Sequence, residues 1–77
     1  MELSEAIAIV LKERRNKINL SQEELGFKSG LDRTYISLIE RGLRQPTLNT
    51  IFNICKSIKI EPHEFVKDIE NLIKSKA

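Results

Sequence analysis

Apolar residues recur three and four positions apart in five stretches of the chain, and no stretch keeps a two-residue alternation. That spacing places each apolar set on one face of an α-helix. The first helix is predicted from about Ser4 to Ile18. Its apolar stripe is Ala6, Ile7, Val10, Leu11 and Ile18, with Lys12, Glu13 and Arg14 toward water. Asn19 then fits a left-handed stop, a backbone state that Gly or Asn adopts at least steric cost. The second helix starts at Ser21. Ser21-Gln22-Glu23-Glu24 has the form of a capping box, and Leu20 and Leu25 flank it as a hydrophobic staple. It ends near Ser29-Gly30. The third has Asp32 as N-cap, turns Ile36 and Ile39 inward, runs to about Arg41 and stops at Gly42. After the loop Leu43-Arg44-Gln45-Pro46, a fourth helix starts at Thr47 and carries Leu48, Ile51, Phe52, Ile54, Cys55 and Ile58. The fifth opens around Pro62, a good first-turn residue, and carries Phe65, Val66, Ile69, Leu72 and Ile73 to about residue 74. The expectation is an all-α, single-domain chain over residues 1–77, with no sheet.

The stretch from about 21 to 41 has a further pattern. Gly26 is small at a place where two short helices must approach each other, and Gly30 can take the positive φ of a tight turn. Leu25, Leu31, Ile36 and Ile39 pin the two helices to the remaining bundle. Such a pair is a helix-turn-helix, whose second helix is free to enter a DNA major groove.

Composition adds constraints. With 77 residues and one cysteine, the chain has no intrachain disulfide and sits near the lower size limit for an unstapled core. No Cys/His set has zinc-ligand spacing, so no metal or cofactor is expected. The start Met1-Glu2-Leu3-Ser4-Glu5 is acidic and unlike a secretory signal. The longest apolar run, Ala6 to Leu11, is too short to span a membrane. A cytoplasmic protein without a membrane partner is expected. Net charge is +2, which by itself says little. Its distribution says more: between residues 31 and 50 every basic side chain is an arginine (Arg33, Arg41, Arg44), the side chain suited to forked contacts with phosphate or guanine. Cys55 falls on an apolar helix face and reads as a buried, unreactive thiol. His63 reads as a surface residue.

From Arg15 through Leu48 the chain resembles the phage-repressor-like helix-turn-helix family, also called the XRE family. Within it, Leu31-Asp32-Arg33-Thr34-Tyr35-Ile36-Ser37, followed by Ile39-Glu40-Arg41-Gly42, looks most like the controller proteins of restriction–modification systems. One departure is Ser29, where Ala is commoner; the two are close in size. The resemblance implies a compact five-helix bundle and a sequence-specific transcription regulator. It further implies binding to double-stranded operator DNA upstream of the protein's own gene, activating at low concentration and repressing at high. For Gln22 it implies a contact to the DNA backbone, and for Arg15 and Glu40 an ion pair between the first helix and the end of the third. In some relatives an acid at the place of Glu23 touches RNA polymerase; the plainer reading of Glu23 is a solvated first-turn acid.

Groove geometry assigns the remaining residues. Arg33, Thr34, Tyr35 and Ser37 lie in the first turns of the third helix, where side chains reach base edges. Arg33 is the candidate for a forked contact to guanine, and Thr34 for a thymine methyl or a phosphate. Tyr35 either donates to phosphate or caps the core. Arg41, Arg44, Gln45 and Asn49 flank the following loop and read as backbone clamps. A homodimer is expected because the fifth helix adds more apolar surface than so small a chain easily hides. Phe52, Phe65, Val66, Ile69, Leu72 and Ile73 are its candidate interface, on helices spanning about 47–74. Twofold symmetry would set two recognition helices about 34–36 Å apart, one turn of DNA. Three other readings stay open: a phage or plasmid repressor, an antitoxin, or an interaction module that does not bind DNA. An enzyme is disfavoured, since no nucleophile–base pair or phosphate-cradling glycine loop is visible.

Overall fold

A computed structural model describes residues 1–76. Five helices follow in order: α1 Leu3–Lys17, α2 Gln22–Ser29, α3 Arg33–Glu40, α4 Leu48–Ser57 and α5 Pro62–Ser75. No strand occurs among the described residues, and no helix there is long and apolar enough to cross a membrane. α1 packs on α3 and α5, α2 on α3 and α4, and α4 on α5. Their inward faces meet in one core: Ala6, Ile7, Val10, Leu11, Leu20, Leu25, Ile36, Ile39, Ile51, Ile54, Cys55, Ile58, Phe65 and Ile69.

Most boundaries follow from local hydrogen bonding. The Ser21 hydroxyl accepts from the Glu24 N–H at 3.0 Å, and the Glu24 carboxylate accepts from the Ser21 N–H at 2.9 Å. The Ser21 backbone N–H foremost, and then the Ser21 hydroxyl, hold the Glu24 carboxyl below the usual carboxylate range. Asp32 accepts from the Thr34 N–H, and Thr47 from the Thr50 N–H, each at 3.1 Å. α1 starts one residue before the predicted Ser4, because the Glu5 carboxylate accepts from the Glu2 N–H and opens the helix there.

Four helices end in the same way. Asn19, Gly30, Gly42 and Lys59 all have positive φ, and the next N–H returns to a carbonyl five residues back. These bonds are Leu20 to Arg15, Leu31 to Gly26, Leu43 to Leu38 and Ile60 to Cys55, at 2.9–3.1 Å. Each satisfies a carbonyl that the helix end would leave open. Lys59 was not foreseen, since lysine carries the left-handed strain that glycine escapes.

Three expectations need correction. Ile18 is a C-cap with substantial exposure, not a core residue. Arg14 does not face open water: its Nε donates to Asp68 Oδ2 at 2.8 Å, clamping α1 to α5. Phe65 and Ile69, expected at an interface, are not surface residues. They are 2% and 5% exposed within one copy, because α5 lies back across α1 and α4 and spends that face on the core. Leu72 and Ile73 are half-buried and pack against the same core. Of the five apolar residues on α5, only Val66 is exposed.

Two contacts set how α2 and α3 sit. At Gly26 a Cβ would lie 2.7 Å from the Leu31 carbonyl oxygen, so only glycine lets the turn close on α2. Below them, Arg15 reaches from α1. Its Nε and Nη2 donate to the two oxygens of Glu40 at 2.7 and 2.8 Å, and its Nη1 donates to the Leu20 carbonyl at 2.8 Å. The side chains are only 9% and 3% exposed. The Glu40 hydrogen bond outweighs burial and raises the Arg15 pKa further, so the guanidinium stays charged.

Gly26→Ala should destabilise the fold by about 1–3 kcal/mol, because the obstructing atom is backbone; urea unfolding measures it. Glu40→Gln leaves a buried guanidinium without its counter-charge. It should lower unfolding free energy by about 3 kcal/mol by the same assay, and a change under about 0.5 kcal/mol would show the pair to be idle.

Candidate nucleic-acid interface

The N-cap Asp32 points α3 outward at its start. Arg33 and Thr34 occupy its first turn and are exposed, whereas Ile36 and Ile39 on the opposite side are fully buried. Ser37, one turn after Arg33, is half-buried, and Arg41 at the end of the helix is exposed. The helix thus presents Arg33, Thr34, Ser37 and Arg41 while two isoleucines anchor it. Its N-terminal end carries the positive end of the dipole, though Asp32 already takes the Thr34 and Tyr35 N–H groups.

Gln22 opens α2 and is half-buried. Its Nε2 donates to Glu40 Oε1 at 3.1 Å. Glu40 therefore receives Arg15 and Gln22 together, and its charge is neutralised within the protein. Arg15, Ser21, Gln22, Glu23 and Arg33 line a shallow hollow of about 460 Å³ between the starts of α2 and α3. Gln22 and Arg33, which are eleven positions apart in sequence, are neighbours there.

Beyond α3, Arg44 and Gln45 are exposed in the loop, and Asn49 is exposed in the first turn of α4. Arg44 lies over the ring of Tyr35, 5.4 Å from its centroid. Tyr35 is half-buried and packs against the core, so both readings of that residue have a place: its body is inside and its edge is at the surface. All five arginines are accounted for. Arg14 and Arg15 are held in ion pairs, whereas Arg33, Arg41 and Arg44 make none among the described residues. The arginines free of ion pairs are thereby confined to α3 and its loop.

Sequence reasoning missed several residues. Asn53 Nδ2 donates to the Ser29 carbonyl at 2.6 Å and ties α4 to the turn of the helix pair. Ser29, the departure from the family pattern, is buried and donates its hydroxyl to the Leu25 carbonyl at 2.7 Å, so the polar group costs nothing unpaired. Pro46 is buried. Leu43, Leu48 and Phe27 are exposed, Phe27 at 90%; the first two were visible as apolar residues, but only tertiary packing shows that nothing covers them. Glu23 is exposed on α2, one turn before Phe27. Cys55 is buried, and burial pushes its thiol up to about 11, so it stays protonated at neutral pH. His63 is exposed. No cluster of His, Cys, Asp or Glu with metal-holding geometry occurs among the described residues.

Comparison with known proteins agrees with this arrangement. The Helix-turn-helix family matches residues 11–65. The control protein C.BamHI of Bacillus amyloliquefaciens is 45% identical over 53 residues, 69% of this chain and 65% of that protein. The control protein C.SmaI of Serratia marcescens is 43% identical over 58 residues, 75% of this chain and 69% of that one. The match thus spans about two thirds of the length of each. Among solved structures, the restriction–modification controller protein C.Esp1396I bound to a 19-base-pair DNA duplex superposes with TM-score 0.86 at 34% identity, covering 95% of this chain and 97% of that one. The same controller is also known as a tetramer on its natural 35-base-pair operator, with TM-score 0.80 at 36% identity over 90% of this chain and 96% of that one. From its matched family, its close relatives and its five-helix architecture, this chain belongs to the helix-turn-helix family and, within it, to the restriction–modification controller proteins.

Proposed function

We propose that this protein binds a specific duplex operator as a homodimer and regulates transcription at its own restriction–modification locus. The observation that carries this is α3. Its outward residues Arg33 and Thr34 are exposed and unspent, while its inward side is locked by Ile36, Ile39 and the Arg15–Glu40 pair. A rigid helix with a free basic face fits the major groove. Arg33 reads guanine, Thr34 and Ser37 add contacts to neighbouring bases or phosphate, and Gln22, Arg41, Arg44, Gln45 and Asn49 hold the backbone. The Gln22 amide is oriented by Glu40, which supports its use as a fixed phosphate donor. A duplex operator as partner supports a cytoplasmic location.

The dimer surface proposed keeps Phe52 and Val66 from the sequence expectation and adds Leu48. Leu48 and Phe52 stand one turn apart on α4 and are 66% and 54% exposed; Val66 on α5 is 47% exposed. An apolar patch of this kind suits a second copy, with the same residues on both sides. Leu72 and Ile73 border it at most, since their packing is already committed to the core. Glu23, on the outer side of α2, remains available to RNA polymerase when α3 is in the groove.

Selection from a randomised duplex pool should enrich one twofold-symmetric sequence. Binding to it should weaken with salt at a log–log slope of roughly −3.6, as expected when Arg41 and Arg44 of two protomers neutralise about four phosphates. Arg33→Ala should cost about 1–3 kcal/mol, concentrated at one base position. Enrichment of nothing, or binding indifferent to salt, would end the proposal. Phe52→Glu should leave the helical circular dichroism unchanged yet shift the protein to monomer in micromolar sedimentation. A Phe52→Glu protein that still sediments as a dimer would move the interface elsewhere.

A further inference from the structure

α4 has two neighbouring faces. Leu48 and Phe52 stand one turn apart on the exposed apolar patch. Asn49 and Asn53, each one position later, share the adjacent face, about 100° around the helix. Asn53 reaches the α2–α3 pair: its Nδ2 donates to the Ser29 carbonyl at 2.6 Å. Ser29 is the last residue of α2, so its carbonyl is one that the helix itself leaves open. That acceptor is well held. The Ser29 hydroxyl donates to the Leu25 carbonyl, and Gly30 closes the helix directly after it. Among the described residues, no other hydrogen bond joins α4 to α2 or α3. The rest of that joint is apolar packing, which is non-directional, whereas a hydrogen bond specifies distance and angle. α1 is clamped to α3 and α5 by charged pairs; α4 meets the helix pair with Asn53 alone.

We propose that Asn53 is a positioning residue for operator spacing: its hydrogen bond to the Ser29 carbonyl fixes the α2–α3 pair relative to the helix that meets a second copy, and so sets which separation of half-sites the dimer accepts. This rests on the reading of Leu48 and Phe52 as the contact with that copy. Twofold symmetry makes the joint matter, because any rotation of α3 about α4 in one protomer is repeated in the other. One base pair added between half-sites moves them apart by about 3.4 Å and turns one against the other by about 34–36°. A fixed joint resists that change, and a joint held by apolar packing alone yields to it.

The test uses the full chain, the duplex selected from a randomised pool, and two further duplexes with one base pair inserted or removed at its centre. The readout is the ratio of affinity for the selected duplex to affinity for each altered one, measured beside urea unfolding and sedimentation. Asn53→Ala removes the donor. Asn53→Asp keeps the size but offers only acceptors when ionised, and its added charge acts on all three duplexes alike, so it cancels in the ratio. Both variants should stay dimeric and lower the ratio about two- to tenfold, since the bond can resist distortion by no more than its own net worth. A bond that serves stability alone would lower the urea midpoint and leave the ratio as it was. That result overturns the proposal, as does a ratio lowered by Asn53→Ala but not by Asn53→Asp. A shift of either variant to monomer would make Asn53 an interface residue and overturns it too. Phe52→Glu separates this proposal from the reading beneath it. If Phe52→Glu is monomeric while the Asn53 variants keep the ratio, only the positioning role fails. If Phe52→Glu still sediments as a dimer, the interface reading fails and takes the positioning role with it.

Discussion

The forked bond between Arg15 and Glu40 joins three helices through one carboxylate. Arg15 comes from α1, Glu40 from the end of α3, and Gln22 from the start of α2. Apolar residues of similar volume could stabilise this junction as well as an ion pair does. They could not fix direction in the same way. Two parallel N–H···O bonds define both distance and angle, and a third bond from Arg15 to the Leu20 carbonyl includes the segment leading into α2. The outward side of α3 is therefore set by charge geometry on one side and by Ile36 and Ile39 on the other.

Rigidity here cannot come from helix propensity. α2 and α3 have eight residues each, too few to hold in water alone. Their ends supply what their length lacks. Side-chain caps serve the starts of α2, α3 and α4, and left-handed closures serve the ends of the first four helices. The residue after each closure (Leu20, Leu31, Leu43, Ile60) is apolar, and three of the four settle against the core. Each stop is thus also an anchor. Leu43 is the exception; its exposure marks the loop that carries Arg44.

Charge and apolar surface are divided by the same packing. The arginines of α1 are absorbed into ion pairs with Asp68 and Glu40, which leaves those of α3 and its loop to act outward. α5 covers α1 and α4 with Phe65 and Ile69, so the exposed apolar surface moves to Leu48 and Phe52 on α4 and Val66 on α5. The exposed arginines and the exposed apolar residues are the surfaces that the proposed twofold assembly would use.

Much of the local structure could be read from residue order alone, because caps and stops act within a few positions. Ser21 with Glu24, Asp32, Gly30 and Gly42 each determine their own turn by sterics and nearby hydrogen bonds, and the apolar spacing then sets the five helices and the outward position of Arg33 and Thr34. Other outcomes depend on which helix faces compete for the same interior, and no local rule contains that. Phe65 looked like surplus surface until α5 was laid across α1. Arg14 looked solvated until Asp68 arrived from fifty-four residues away. Lys59 accepts a strained φ because Ile58 and Ile60 on either side are held by the core. Burial is a property of the whole arrangement, so the tertiary structure alone decided which apolar residues became core and which remained exposed.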